Sequence, residues 1–246
     1  MKPMMLIFLF FLFSNTYASE FHIAVASNFS APMEVLMKVF SEKTGHKVLT
    51  SYGSTAKLYA QILNDAPFEV FLSADKTHAL KLIEEKRAIE KTKYTYAVGK
   101  IILWSPTAGA IDPNGEILSK KNFKHLSLAN PKLAPYGEAA RQVLEKKNLW
   151  KALDQKIILG ESIAQAFQFV SSGNAELGFV AYSQIIKDGK TQGSYWMIPQ
   201  TLYSPLYQEA VLLKKGEHSV AAKEFLSFLQ SEKAKTIIKK FGYEMK

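Results

Sequence analysis

Four short turns in this sequence combine small or hydroxyl-bearing residues with the start of an amphipathic helical segment. A helix that begins at such a turn leaves its first backbone N–H groups without acceptors and carries a partial positive charge at that end. An anion can bind there through hydrogen bonds alone, without a lysine or an arginine. The turns are residues 27–30 (SNFS), 53–55 (GST), 135–137 (PYG) and 161–163 (ESI).

The elements around these turns alternate between short apolar segments and amphipathic helical segments. This alternation is typical of an α/β fold with a mostly parallel sheet, in which ligands bind beyond the carboxyl ends of the strands. The β-type run over residues 94–104 is longer than one ordinary strand and predicts a crossing between two lobes. We therefore expect the four turns to face one cleft.

Each turn also has a simpler explanation. Serine and asparagine are favoured directly before helices because their side chains cap the first N–H groups. Four such turns occur in many α/β proteins. From the residues alone, an anion site is a hypothesis and no more.

The composition predicts a globular protein with a basic surface. The chain has 246 residues, of which 48% are hydrophobic, and a formal net charge of +9. Its lysines are scattered through amphipathic segments, which favours solvated helix faces over a binding patch. The sequence contains no nucleic-acid-binding motif that we recognise, so we expect no nucleic-acid partner.

The N-terminus predicts export. Lys2 precedes an apolar run over residues 4–13, which is too short to span a bilayer, and Thr16, Tyr17 and Ala18 follow it. We expect residues 1–18 to be a signal peptide; the alternative is a buried N-terminal strand or helix. The sequence has no cysteine, which excludes disulfides and a lipid anchor on cysteine and suits a soluble protein of the bacterial periplasm.

The sequence contains no catalytic motif that we recognise. No two of the five histidines have metal-ligand spacing, and neither H-E-x-x-H nor G-x-S-x-G occurs. Glu69 and Asp75 could form a carboxylate pair, but Asp75 is more simply a helix cap. We expect no enzyme activity, no cofactor and no directly bound metal cation.

Six segments together are similar to the periplasmic molybdate-binding proteins of molybdate ABC transporters. Their order and spacing fit that family over nearly the whole chain after the signal peptide. The segments are VASNF (25–29), GSTAKLYAQI (53–62), APFEVFLSAD (66–75), NPKLAPYG (130–137), NAELGFVA (174–181) and KKFGY (239–243).

The resemblance implies a two-lobed type II periplasmic binding protein fold, with a sheet flanked by helices in each lobe and the ligand in the interlobe cleft. We expect residues 20–98 and 208–246 to form lobe 1 and residues 99–207 to form lobe 2. The implied ligand is molybdate, with tungstate as a second ligand. The implied partner is the membrane permease of an ABC importer, and family members are typically monomers.

The resemblance also implies which residues bind the oxyanion. Thr55 stands where family members usually carry serine, and its hydroxyl keeps the donor; Ser54 beside it is a second candidate. Tyr136 and Ile163 would act through their backbone N–H groups. The predicted ligand residues are Ser27, Asn28, Thr55, Tyr136 and Ile163.

One position departs from the family pattern. Some members place a ligand tyrosine directly after the GFV stretch, where this chain has Ala181, with Tyr182 one position later. The departure resembles the members that use an asparagine amide instead, which would here be Asn28. Two alternatives remain: a binding protein for another oxyanion such as sulfate, or a secreted enzyme on the same fold.

Overall fold

The computed structural model describes residues 18–187 and 189–245; the predicted signal peptide, residues 1–18, lies outside them apart from Ala18. The strands are β1 (Glu20–Ala26), β2 (Lys47–Gly53), β3 (Val70–Ser73), β4 (Tyr94–Gly99), β5 (Ile101–Ser105), β6 (Leu126–Ala129), β7 (Ile157–Gly160), β8 (Leu177–Ala181), β9 (Ile186–Lys187), β10 (Lys190–Thr191), β11 (Ser194–Met197) and β12 (Leu206–Leu212). The helices are α1 (Ser30–Thr44), α2 (Thr55–Leu63), α3 (Lys76–Glu84), α4 (Ile117–Lys120), α5 (Pro135–Lys146), α6 (Trp150–Leu153), α7 (Ile163–Ser171), α8 (Val220–Leu229) and α9 (Glu232–Lys240).

Two five-stranded sheets organise the chain into two lobes. The first sheet has the order β2-β1-β3-β12-β4, and the second has the order β11-β5-β8-β6-β7. Helices pack against both sheets, as in α7 on β6 and β8 and α8 on β12. The predicted two-lobed α/β fold is confirmed.

Both sheets are mixed, with more antiparallel pairing than the strand–helix alternation predicts. In the first sheet β1 pairs parallel with β2 and β3, whereas β12 pairs antiparallel with β3 and β4. In the second sheet β6 pairs parallel with β7 and β8, whereas β5 pairs antiparallel with β8 and β11. The antiparallel strands β5 and β12 are the first strands that the chain forms in each sheet after it crosses between the lobes.

The predicted crossing at residues 94–104 is confirmed. β4 lies in the first sheet and β5 in the second, with only Lys100 between them. The chain returns between β11 and β12, and near the C-terminus Glu244 makes an antiparallel bridge with Val98 of β4. The domain boundaries at 98/99 and 207/208 stay a prediction.

The helices form where apolar residues recur at helical spacing. Met33, Leu36 and Phe40 of α1 are buried, and Gly45 ends this helix in the left-handed conformation with φ of 76°. Ala26, the last residue of β1, and Ala74, which follows β3, belong to the same buried cluster as Tyr136 of the second lobe. The two lobes therefore pack together at the carboxyl ends of their strands. Among residues 18–187 and 189–245, no helix is long and apolar enough to cross a membrane.

Candidate anion-binding site

A small cavity lies where the two lobes meet, and all five predicted ligand residues line it. The space in it that a water-sized sphere can reach is about 10 Å³, far below the size of ordinary organic-ligand pockets. The eleven lining residues are uncharged. They are Ala26, Ser27, Asn28, Gly53, Ser54, Thr55, Ala74, Ala134, Pro135, Tyr136 and Ile163.

Three α-helices begin at the cavity wall. Thr55 and Ile163 are the first residues of α2 and α7, and Tyr136 is the second residue of α5. Backbone N–H groups at these positions have no acceptor in a preceding helical turn. The Ser162 hydroxyl caps the N–H of Gln165, at 3.3 Å, and so leaves that of Ile163 for another partner.

The fourth wall is a tight turn before α1. Residues Ser27–Phe29 form a single 3-10 turn directly after β1, and α1 begins at Ser30. The Ser30 hydroxyl donates to the Ser27 carbonyl oxygen at 3.1 Å, so the first residue of α1 stabilises the turn that precedes it. Ser27 itself is buried, and its side chain lies at the cavity. Four helical N-termini therefore surround one uncharged space.

Thr55 has a hydroxyl that is already oriented by the protein. Its Oγ1 accepts a hydrogen bond from the backbone N–H of Ala74 at 3.3 Å, and the residue is 1% exposed. Because Oγ1 acts as the acceptor in this bond, its own hydrogen remains for a ligand oxygen. The predicted donor role of Thr55 is compatible with this geometry.

Ser54 is a stronger candidate in the structure than in the sequence. It lies directly before α2 and is buried at the cavity wall. Among the described residues, no hydrogen-bond partner exists for its Oγ. A buried hydroxyl without a partner is costly, and a bound anion would supply an acceptor.

Asn28 lines the cavity, but its amide is engaged within the protein. Nδ2 donates to Oε1 of Gln208 at 2.8 Å and to the hydroxyl oxygen of Tyr243 at 2.9 Å. Nε2 of Gln208 donates to the Leu206 carbonyl oxygen, which orients Oε1 toward Asn28. Both amide hydrogens are used, so the expectation that the Asn28 amide supplies a free donor is wrong for this conformation. The group that Asn28 can offer a ligand is its backbone N–H.

The two residues that depart from the family pattern do not line the cavity. Ala181 is fully buried at the end of β8. Tyr182 turns toward Tyr195, with ring centroids 5.7 Å apart. Their placement agrees with a ligand set that contains neither residue.

The electrostatics of the cavity come from dipoles and neutral donors. Burial raises the pKa of Tyr136 well above its ordinary value, so this hydroxyl stays neutral. An ion pair between Lys57 and Glu161, 3.2 Å apart, joins the lobes beside the cavity and is exposed to solvent. Among the described residues, no group of three histidine, aspartate or glutamate side chains could hold a metal cation. The arrangement can bind an anion by hydrogen bonds, and its lining contains neither a carboxylate nor an imidazole for proton transfer.

A two-lobed fold with a small cavity between the lobes is typical of solute-binding proteins. Residues 21–244 match the family model described as bacterial extracellular solute-binding protein, and the chain belongs to this family. Its function is accordingly binding rather than catalysis.

Individual relatives show which kind of solute-binding protein the chain resembles. The chain is 53% identical over 227 residues to the molybdate-binding protein ModA of Azotobacter vinelandii, covering 92% of this chain and 90% of the relative. It is 47% identical over 226 residues to ModA of Rhodobacter capsulatus, covering 92% and 88%. The solved periplasmic molybdate-binding protein of Azotobacter vinelandii matches with a TM-score of 0.90 at 39% identity, covering 92% of this chain and 99% of that one. The resemblance to molybdate-binding proteins is confirmed.

Proposed function

We propose that this protein captures molybdate in the interlobe cavity and delivers it to the permease of an ABC importer. The observation that carries the proposal is the convergence of four helical N-termini on one small uncharged cavity. The identity to relatives named as molybdate-binding proteins supports the choice of anion. Tungstate, a tetrahedral dianion of nearly the same size, is the second proposed ligand.

Each lobe contributes a different kind of donor. Hydroxyls of Ser27, Ser54 and Thr55 come from the first lobe, together with the backbone N–H of Asn28. The second lobe offers the backbone N–H groups of Tyr136 and Ile163, whose side chains need not be polar. A ligand bound to both sets stabilises the closed arrangement, because opening would separate the two sets of donors.

Neutral donors explain how the site would select its anion. Each hydrogen bond to a charged group contributes roughly 1.5–3 kcal/mol net, so several can supply the about 8 kcal/mol of a micromolar affinity. Phosphate that carries a proton has an O–H group where the cavity donors need an acceptor. Binding it would leave a buried N–H or O–H group of the cavity without a hydrogen bond. Sulfate has the required charge but is smaller, so it would make fewer of the contacts.

We further propose export to the periplasm, with residues 1–18 as the signal peptide. The apolar run at residues 4–13 supports export, and the absence of cysteine from the sequence argues against a lipid anchor on cysteine. The solved relative is named as a periplasmic protein. We propose that the protein acts as a monomer.

Calorimetric titration of the purified protein with molybdate, tungstate, sulfate and phosphate tests the proposal. We expect molybdate and tungstate to bind at micromolar concentration or below, and sulfate and phosphate to bind far more weakly. Tight sulfate binding without molybdate binding would assign the protein to a different oxyanion. No heat with any of the four anions would refute oxyanion capture.

A further inference from the structure

Tyr243, close to the C-terminus, reaches the turn that lines the cavity. Its side chain is 5% exposed, and its hydroxyl donates to the Asn28 carbonyl oxygen at 2.8 Å. The same hydroxyl oxygen accepts from the Asn28 amide at 2.9 Å. Tyr243 therefore holds both the backbone and the side chain of one cavity residue.

A residue of the second lobe also binds Asn28. The Ser183 hydroxyl, in the turn after β8, donates to the Asn28 carbonyl oxygen at 2.8 Å and lies 3.2 Å from the Tyr243 hydroxyl. Next to Tyr243, Glu244 pairs with Val98 on the strand that leads to the first crossing. The C-terminal segment, the cavity turn of lobe 1 and the second lobe thus join in one buried cluster.

We propose that Tyr243 is a positioning residue for the oxyanion site, a role that rests on the proposed function. Its hydroxyl holds the carbonyl oxygen and the side-chain amide of Asn28, in the turn that carries proposed ligand donors, and connects them to Ser183 of the other lobe. Rotation of the Asn28 peptide would break the bonds to Tyr243 and Ser183 together. The cluster therefore keeps the turn in one geometry and stabilises the closed arrangement of the lobes.

The chain offers a matched control for this hydroxyl. Tyr96 is buried to a similar degree, and its ring packs against Phe29 at 4.9 Å, as the Tyr243 ring does at 5.4 Å. Among the described residues, the Tyr96 hydroxyl has no hydrogen-bond partner. Tyr243→Phe and Tyr96→Phe thus remove the same group from the same aromatic cluster, and only the first removes bonds to Asn28.

The test compares both variants with the wild-type protein, using molybdate as the ligand. Affinity is measured by calorimetry, and dissociation by chasing radiolabelled molybdate with unlabelled molybdate. We expect Tyr243→Phe to weaken affinity about tenfold, the effect of one hydrogen bond to a charged or oriented group, chiefly through faster dissociation. Tyr96→Phe should stay within about twofold of wild type, because it removes a hydroxyl without a partner.

Ser183→Ala provides a second route to the same conclusion, including the case in which Tyr243→Phe does not fold. This variant removes only the hydrogen bond from the second lobe to the Asn28 carbonyl oxygen. It should therefore also speed molybdate dissociation, while the melting temperature of the ligand-free protein changes little. In the double variant the two effects should be less than additive, since both residues act on the Asn28 carbonyl.

The outcomes separate this inference from the proposed function. If wild type binds molybdate and either Tyr243→Phe or Ser183→Ala dissociates at the wild-type rate, the positioning role is wrong and the binding function stands. Equal losses in Tyr243→Phe and Tyr96→Phe would also overturn it, because general packing would then explain both. Failure of the wild-type protein to bind would refute the function itself.

Discussion

The backbone N–H of Ala56 donates to the carbonyl oxygen of Leu133 across 3.1 Å. Ala56 lies in the first turn of α2 in one lobe, and Leu133 lies just before α5 in the other. This bond sets the distance between two walls of the cavity through backbone atoms alone. Side-chain replacements in the cavity should therefore remove donors without moving the frame that holds them.

Ser54→Ala should have opposite effects on stability and on binding. The Ser54 hydroxyl is buried without a partner among the described residues, so its removal should raise the melting temperature of the ligand-free protein slightly. If the hydroxyl donates to the bound anion, the same change should weaken molybdate binding about tenfold. Differential scanning calorimetry and titration measure the two effects.

The control for Ser54 is Ser172→Ala. Ser172 lies in the second lobe at the end of α7, is exposed, and does not line the cavity. The Ser172→Ala variant should leave molybdate affinity unchanged. If Ser54→Ala also binds molybdate as wild type does, Ser54 is not a ligand residue.

Thr55→Val and Asn28→Ala should each reduce both affinity and stability. Thr55→Val removes a proposed ligand donor and should weaken molybdate binding about tenfold; it also leaves the Ala74 N–H without its acceptor, so the ligand-free protein should lose about 1–3 kcal/mol of stability. Asn28→Ala leaves Gln208 and Tyr243 without their shared donor, so it should also destabilise the ligand-free protein by about 1–3 kcal/mol. Chemical denaturation beside titration measures both effects, and a stability of Asn28→Ala equal to that of wild type would contradict the buried role of the Asn28 amide.

The positions of the ligand turns could be predicted from the sequence, because each turn is a local pattern. Hydroxyl and glycine residues before an amphipathic segment predict a helix start at Thr55 or Ile163 without knowledge of the rest of the chain. The crossing at residues 94–104 was similarly evident, since a β-type run of that length exceeds one strand. The α/β pattern alone made a common cleft for these turns a hypothesis, and the resemblance to molybdate-binding proteins named the residues that line it.

The partners of Asn28 could not be predicted in this way. Gln208 and Tyr243 lie 180 and 215 residues further along the chain, and no local pattern connects them. One signal was present: Gln208 and Glu209 interrupt an otherwise apolar strand, and both are fully buried. A buried amide of this kind requires polar partners, which the sequence alone does not name.

Gly137→Ala should destabilise the protein although Gly137 lies in a helix. Alanine normally stabilises a helix relative to glycine, but a Cβ at Gly137 would lie 2.2 Å from the Ala129 carbonyl oxygen, a backbone atom that cannot easily move. The close approach lets α5 pack on β6 and brings Tyr136 to the cavity. We expect a loss of about 1–3 kcal/mol or more in the free energy of unfolding.

Gly109→Ala is the comparison for that measurement. Gly109 has φ of 73° and open space around it, so a Cβ there meets only the cost of the left-handed conformation, about 1 kcal/mol. Denaturant unfolding of both variants should show the larger loss for Gly137→Ala. A smaller loss for Gly137→Ala would mean that the helix can shift away from the strand.

The stability of the protein should fall at alkaline pH. Burial raises the pKa of Tyr243 from 10.0 to about 12, and burial also raises the pKa of Tyr96 and Tyr136. Above pH 10.0 these tyrosines ionise in the unfolded state while they remain neutral in the folded state. The stabilisation present below that pH is therefore lost as the pH rises toward about 12.

Thermal unfolding at a series of pH values above neutrality, with tyrosinate absorbance followed in parallel, measures this effect. The melting temperature should decline above pH 10.0, and Tyr243→Phe should decline less steeply because one buried group is gone. A melting temperature that is level across this range would show that these hydroxyls ionise equally in both states.

A crystal structure with molybdate would show whether an oxyanion binds in the cavity at the four helical N-termini. Anomalous scattering locates molybdenum independently of the protein atoms. We expect one molybdenum peak in the cavity, with oxygens within hydrogen-bond distance of the Thr55 hydroxyl and of the backbone nitrogens of Tyr136 and Ile163. A peak elsewhere, or an empty cavity in crystals that hold molybdate at another site, would contradict it.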